Sequence, residues 1–204
     1  VSLPIIRPYR PGDRDAVYDV CVRTAHLGGD SRHIYPDLEL MPSLFAGPYL
    51  HLEPDLAFVL DSGERAVGYV VGTADTAAFV KNFRASWLPT LVERFPAPSG
   101  PPVTPSDAMI DYMHHIERML VLEDYPAHLH IDLLPAYQRQ GHGRALMHAL
   151  LDALRRKNVP AVHLAMVTAN TAARAFYDRL GFHEIPVADP GELTYLGLST
   201  DHTL

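Results

Sequence analysis

Leu133-Leu134-Pro135-Ala136-Tyr137-Gln138-Arg139-Gln140-Gly141-His142-Gly143-Arg144-Ala145 is the stretch on which the reading of this 204-residue chain turns. The residues before it, 128–134, alternate in polarity and predict a strand. The residues after it predict an amphipathic helix over 143–157. Leu146, Met147, Leu150, Leu151 and Leu154 fall on one stripe there, and Arg144, His148, Asp152 and Arg155 face away. Between them Gly141 and Gly143 let the backbone turn and lie close to a ligand. The N–H groups opening such a helix have no partner of their own and carry roughly half a positive charge. A strand, a glycine loop and a helix start therefore make a seat for a pyrophosphate, with Arg139 and Arg144 adding charge-assisted contacts. A structural turn that binds nothing is the other reading of the same residues.

The loop does not match two common phosphate fingerprints. After Gly141-x-Gly143 the third glycine position of a dinucleotide loop holds Leu146, and no acidic residue about 20 positions on is placed to hold a ribose. The Gly-Lys-Ser/Thr ending of a nucleoside-triphosphate loop is absent too.

Outward from the loop, residues 161–167 predict a strand, 171–179 a helix, and 182–187 and 193–198 two more strands. Upstream, a strand over 5–9 leads through Asp13 as N-cap into a helix to about Ala25. Ala16, Val17, Val20, Cys21 and Thr24 form its buried stripe, which makes Cys21 a core residue. Pro36, Pro42 and Pro48 restrict residues 33–52 to short helical turns. A hairpin follows, 56–60 and 66–73 joined by Asp61-Ser62-Gly63-Glu64. Residues 77–94 read as a helix with Phe79, Phe83, Trp87 and Leu91 four apart and a kink at Pro89. A proline-rich surface loop and a short helix over 107–117 complete the order. No repeat is visible, and residues 1–204 read as one mixed α/β domain whose strand–helix–strand unit implies a parallel pair.

Composition narrows the partners. Hydrophobic residues make up 48% and charged residues 20%, which suits a globular chain and excludes a disordered one. No run approaches the ~18 apolar residues of a membrane span. Val1-Ser2-Leu3-Pro4 shows no leader-like pattern. A formal charge of −7 argues against nucleic acid as a general partner and suits cationic acceptors. The single cysteine, Cys21, fits a reducing cytoplasm. Only Lys81 and Lys157 are lysines among the 17 basic residues, a bias that reads as a high-GC, bacterial genome.

Gln138-x-x-Gly141-x-Gly143, behind a strand and Pro135, resembles the acyl-CoA pyrophosphate loop of the GNAT N-acetyltransferase superfamily. Asn170-x-x-Ala173-x-x-x-Tyr177-x-x-x-Gly181-Phe182 resembles that family's next motif, in the same order and at a similar gap. A narrower likeness lies in Ile6-Arg7-Pro8-Tyr9, Tyr35-Pro36-Asp37-Leu38 and Gly68-Tyr69-Val70-Val71-Gly72-Thr73. These are similar to the histone-acetyltransferase-like C-terminal domain of animal O-GlcNAcases, a domain whose acetyl-CoA site is not intact. This sequence departs from it by keeping the glycine loop and Tyr177.

The resemblance implies a GNAT fold: a mixed, largely antiparallel twisted sheet flanked by helices and splayed near Leu134 at its central parallel pair. It implies transfer of acetyl from acetyl-CoA to an amine by direct attack. It also implies a habit of pairing subunits into a homodimer. On that reading the backbone of Arg139, Gln140, Gly141, His142, Gly143 and Arg144 holds the pyrophosphate. The main chain of Leu133 and Leu134 holds the pantetheine arm, with the Leu133 N–H facing the acetyl oxygen. Asn170 and Tyr177, two helical turns apart, share a face. Asn170 would bond the pantetheine amides and Tyr177 would protonate the leaving thiolate, whereas without the motif Tyr177 reads as a core aromatic. Phe176 reads as packing.

The base is sought on the predicted strand, where His128, His130 and Asp132 share one face. Asp132 lies nearest the acetyl end and histidine has the better-placed ordinary pKa. A merely hydrogen-bonded or solvated strand face is the competing reading, with Glu117 and Asp75 as weaker bases. No zinc pattern supports a metal site. Protein lysine, amino sugar, polyamine and small amine all remain open as acceptors. A domain that holds acetyl-CoA without turnover, or keeps only the fold, is the alternative to an enzyme.

Overall fold

The computed structural model describes residues 3–204, so the leader reading of Val1 and Ser2 lies outside the described residues. Its strands are β1 (Ile5–Pro8), β2 (Ala57–Asp61), β3 (Ala66–Thr73), β4 (Ala127–Leu133), β5 (Ala161–Val167), β6 (His183–Glu184) and β7 (Leu193–Ser199). They form one sheet in the order β1-β2-β3-β4-β5-β7-β6, antiparallel at every step except β4–β5. That step is parallel because the 15-residue helix α6 (His142–Arg156) carries the chain back across the sheet before β5.

Helices cover both faces. On one lie α1 (Arg14–Thr24), α2 (Leu40–Phe45), α3 (Gly47–Leu52), α4 (Thr76–Asn82) and α5 (Pro105–His114); Val17, Leu40, Tyr49, Phe79 and Met113 pack there against Tyr69 and Val71. On the other, α6 and α7 (Thr171–Arg179) bury Leu146, Leu150, Leu154 and Leu180 against Val70, Leu129 and Val162. β3 is buried at all eight positions, as its near-continuous apolar sequence requires of a strand covered on both faces. No helix among the described residues is long and apolar enough to cross a membrane.

Several boundaries differ from the expectation for identifiable reasons. The helix expected over 77–94 is α4 followed by a π-turn, Phe83–Trp87, and a single 3₁₀ turn, because Pro89 offers no N–H and its ring excludes the carbonyl of Ala85. Phe79 and Phe83 are core residues, and the Trp87 indole donates to the Ser43 carbonyl at 2.9 Å. The strand expected over 182–187 pairs only at His183–Glu184: Ile185 makes one last bond to Tyr195 and Pro186 cannot donate.

Asp13 precedes α1 but does not cap it with its side chain. Its carboxylate accepts from the Arg7 guanidinium at 2.7 and 2.8 Å and from the Arg10 N–H at 2.8 Å. Arg7 also reaches Asp61 at 2.7 Å, so one cation clamps two carboxylates and holds Asp13 below its usual pKa range. Replacing Arg7 with methionine leaves Asp13 and Asp61 facing each other in a mostly covered site. A loss of about 2 kcal/mol is expected, between the values for exposed and buried pairs, to be read from urea unfolding.

Candidate active site

β4 and β5 share only two register pairs, Ala127 with Val162 and His128 with His163. Beyond His128 the strands diverge, several residues earlier than the expected splay near Leu134. Each keeps its outer ladder: β4 pairs with β3 as far as Leu133 opposite Gly68, and β5 with β7 as far as Val167 opposite Leu193. Leu134 donates to the Val67 carbonyl at 3.0 Å. Main-chain groups alternate sides along an antiparallel ladder, so the N–H groups of Ile131 and Leu133 point the other way, into the gap beside β5. For Leu133 this is the expected direction. For Leu134 it is not: its N–H is taken by Val67 and its carbonyl by the Tyr137 N–H, so its main chain is turned away from the gap.

At the mouth of the gap the glycine loop takes an unusual backbone path. Arg139 has φ +59° and Gly141 φ +85°, the left-handed region, with Gly141 directly preceding α6. Gly143 is needed for a different reason: a Cβ there would lie 2.9 Å from the ring of Phe176. Phe176 therefore both packs on the loop and lines the cleft. The Gln138 amide ties the loop to the Leu133 carbonyl at 2.9 Å, and the Gln140 amide donates to the Ala136 carbonyl at 2.7 Å. None of the six backbone N–H groups of residues 139–144 has an acceptor among the described residues. Arg139, Arg144 and Arg179 line the same cleft, and none of them pairs with a carboxylate among the described residues. In a chain of net charge −7, three unpaired cations beside six unpaired amides form a local anion seat. Arg179 was not singled out by the sequence; its signal is its position two residues after Tyr177.

The cleft has a volume of about 1290 Å³ and runs from this loop through the gap to the face covered by α1, α2 and α5. Asn170 and Tyr177 both line it. The Asn170 carbonyl oxygen caps α7, accepting from the Ala173 N–H at 3.1 Å, a duty the sequence reading did not give it. Tyr177 is 8% exposed, and its hydroxyl has no hydrogen-bond partner among the described residues yet is not sealed from the cleft. Burial, and then the nearby Asp132 charge, push its pKa above the ordinary phenol value, so it stays protonated.

The polar face of β4 is covered rather than solvated. Asp132 sits opposite Tyr69 on β3 and accepts its hydroxyl at 2.8 Å. Burial raises its pKa to about 6, a shift the Tyr69 bond only partly offsets. His128 and His130 both contact the Tyr49 hydroxyl, at 2.7 and 2.9 Å through their Nε2 atoms. Burial, with His163 nearby, lowers His130 to about 4 and holds His128 well below the ordinary histidine value, so both rings are neutral. Tyr49 comes from α3, inside the irregular segment whose sequence gave no sign of it. The weaker bases stand elsewhere: Asp75 caps α4 by accepting from the Ala78 N–H, and Glu117 pairs with Arg84 at 3.5 Å.

With the geometry in hand, the model of the acetyltransferase (GNAT) family matches residues 22–182. The chain belongs to the GNAT acetyltransferase family. The crystal structure of SsHAT is 60% identical to this GNAT chain, with a TM-score of 0.95, covering 98% of this chain and 100% of that one. Protein O-GlcNAcase of Rattus norvegicus is 26% identical over 200 residues, 95% of this chain, but the match spans only 22% of that much longer protein. The [ribosomal protein bS18]-alanine N-acetyltransferase of Escherichia coli strain K12 is 45% identical over 53 residues, 26% of this chain and 36% of that enzyme. This GNAT chain therefore shares nearly its whole length with SsHAT, and about a fifth of the length of the O-GlcNAcase it matches.

Proposed function

We propose that this GNAT chain is a single-domain N-acetyltransferase, which we assign to the cytoplasm, and that it moves acetyl from acetyl-CoA to an amine by direct attack. The observation that carries the reading is the row of six unpartnered amides beside three unpaired arginines, set at the open end of two splayed strands. Residues 139–144 would hold the pyrophosphate, and the outward main chain of Ile131 and Leu133 would hold the pantetheine arm.

The catalytic roles follow from charge and position. Asp132, a carboxylate whose pKa of about 6 lies close to neutral pH, takes a proton from the incoming ammonium and frees its lone pair. The nitrogen then bonds to the acetyl carbon while the carbon–sulfur bond breaks. The Leu133 N–H faces the carbonyl oxygen as negative charge grows there. The protonated Tyr177 hydroxyl donates to the sulfur as it leaves. His130, lowered to about 4, is too weak a base to compete with Asp132. The nitrogen's second proton restores the Tyr177 hydroxyl, so the accounting is one ammonium and one thioester in, and one amide, one thiol and one proton out, the last by way of Asp132.

Calorimetric titration with acetyl-CoA tests the seat. Saturable one-to-one binding is expected in the parent chain. In the Gly141→Asp/Gly143→Asp double variant, two carboxylates enter the amide row and a side chain meets Phe176, so affinity should fall by about 100-fold. Absence of binding in the parent would overturn the proposal.

A further inference from the structure

The hydrogen bonds behind β4 form one chain, from Thr76 through His128 and Tyr49 to His130, that can run in either direction. In one direction the Thr76 hydroxyl donates to the Pro126 carbonyl at 3.0 Å and accepts from His128, 2.8 Å away. His128 then carries its proton on Nδ1 and presents a bare Nε2 to Tyr49, whose hydroxyl donates to it at 2.7 Å. The Tyr49 oxygen is left to accept from His130, so the proton of His130 is on Nε2, 2.9 Å away. In this direction Nδ1 of His130 is a bare lone pair, whereas in the other it carries the proton. It bonds no group among the described residues, and it is not sealed from the cleft, which His130 lines.

His130 and Asp132 are two residues apart on one strand face, roughly 7 Å along the chain. Side-chain ends on that backbone spacing need to lean only about 1 Å toward each other for one nitrogen, about 3 Å from each, to reach both. Around them the far end of the cleft is lined by Met41, Phe45, Met109, Tyr112 and Met119, with the Phe45 ring 5.4 Å from that of His130. Asp132 is the only carboxylate among the described residues that line it, and the cation on this side, Arg118, is already paired with Asp111 at 2.8 Å. A second ammonium group would find no counter-charge there.

Resting on the acetyltransferase reading above, we propose that the acceptor is a single primary amine on an apolar body, its nitrogen held between Asp132 and Nδ1 of His130. A polyamine or a lysine-rich peptide would leave further cations unpaired in an apolar pocket. Tyr49 is then a positioning residue, since its hydroxyl fixes which nitrogen of His130 is bare.

The test is initial-rate acetylation of 2-phenylethylamine, spermidine and an oligolysine peptide, followed by thiol release. Acetyl-CoA affinity is measured in parallel by calorimetry. We expect kcat/KM for 2-phenylethylamine to exceed the other two by at least about tenfold. His130→Leu should raise the KM for this amine by about tenfold and leave acetyl-CoA affinity unchanged. Tyr49→Phe should raise the KM by less, and ¹⁵N spectra should show His130 losing its single tautomer, a signature that mere loosening of the core would not give. Preference for spermidine or the peptide would overturn the proposal. So would an unchanged KM in both variants, or no acetylation of 2-phenylethylamine by a chain that binds acetyl-CoA. A chain that does not bind acetyl-CoA at all would instead overturn the acetyltransferase reading.

Discussion

Asp132→Asn is expected to lower turnover by about 100- to 10,000-fold, the range for loss of a general base, with acetyl-CoA affinity unchanged. Among the described residues it is the only carboxylate lining the cleft, so no neighbour can take over. In the parent chain, turnover should rise as pH increases through about 6, where Asp132 loses its proton, and this acid limb should vanish in the variant. Stability should move the opposite way. A carboxyl whose pKa is raised on folding favours the protonated folded state. It therefore weakens the fold as pH rises from its unfolded value near 4 to about 6, and the full penalty applies above that. Asparagine removes the charge and still accepts the Tyr69 hydroxyl, so the variant should gain on the order of 2 kcal/mol at neutral pH and nothing below about pH 4. Melting curves at pH 4 and pH 7.5 give the comparison, and a variant equally active or less stable at neutral pH contradicts the role.

Tyr177→Phe is the second large effect. The phenol reaches the cleft with no partner among the described residues, so its loss leaves no broken hydrogen bond and no new cavity beyond one oxygen. The fold should therefore be nearly indifferent, within about 1 kcal/mol. Turnover should fall by about 100-fold or more while the KM for acetyl-CoA holds, because the donor acts on the sulfur only as it leaves. An acceptor amine with a faster-breaking acyl donor, such as an activated thioester, should recover much of the loss. A rise in KM with kcat intact would recast Tyr177 as a binding residue.

The C-terminal half of the fold is legible in the sequence because its signals are local. β5 and α7 begin and end at the residues expected from alternation and from the 3.6-residue period. The glycine loop is legible for the same reason. The cover on β4 is not. Nothing near Gly47-Pro48-Tyr49 announces that Tyr49 will meet two histidines some 80 positions away, since that encounter exists only once α3 is packed on the sheet. Alternation tells which side of β4 a residue takes and not what lies over it, so a hydrogen-bonded and a solvated polar face read alike in the sequence. Asp13 shows a related limit: its place before a helix suggests a cap, and the competing Arg7, six residues back on β1, is held toward it by Asp61 of β2 as well.

The two short register pairs between β4 and β5 also separate what the chain needs in order to fold from what it needs in order to work. Each strand already has a full ladder on its outer edge, so the gap is not a debt that a ligand must settle before the sheet can form. An extended arm laid along Ile131 and Leu133 would act as an interior strand supplied by another molecule. Descendants of such a fold can lose the loop, and with it the donated strand, and still inherit a sound sheet.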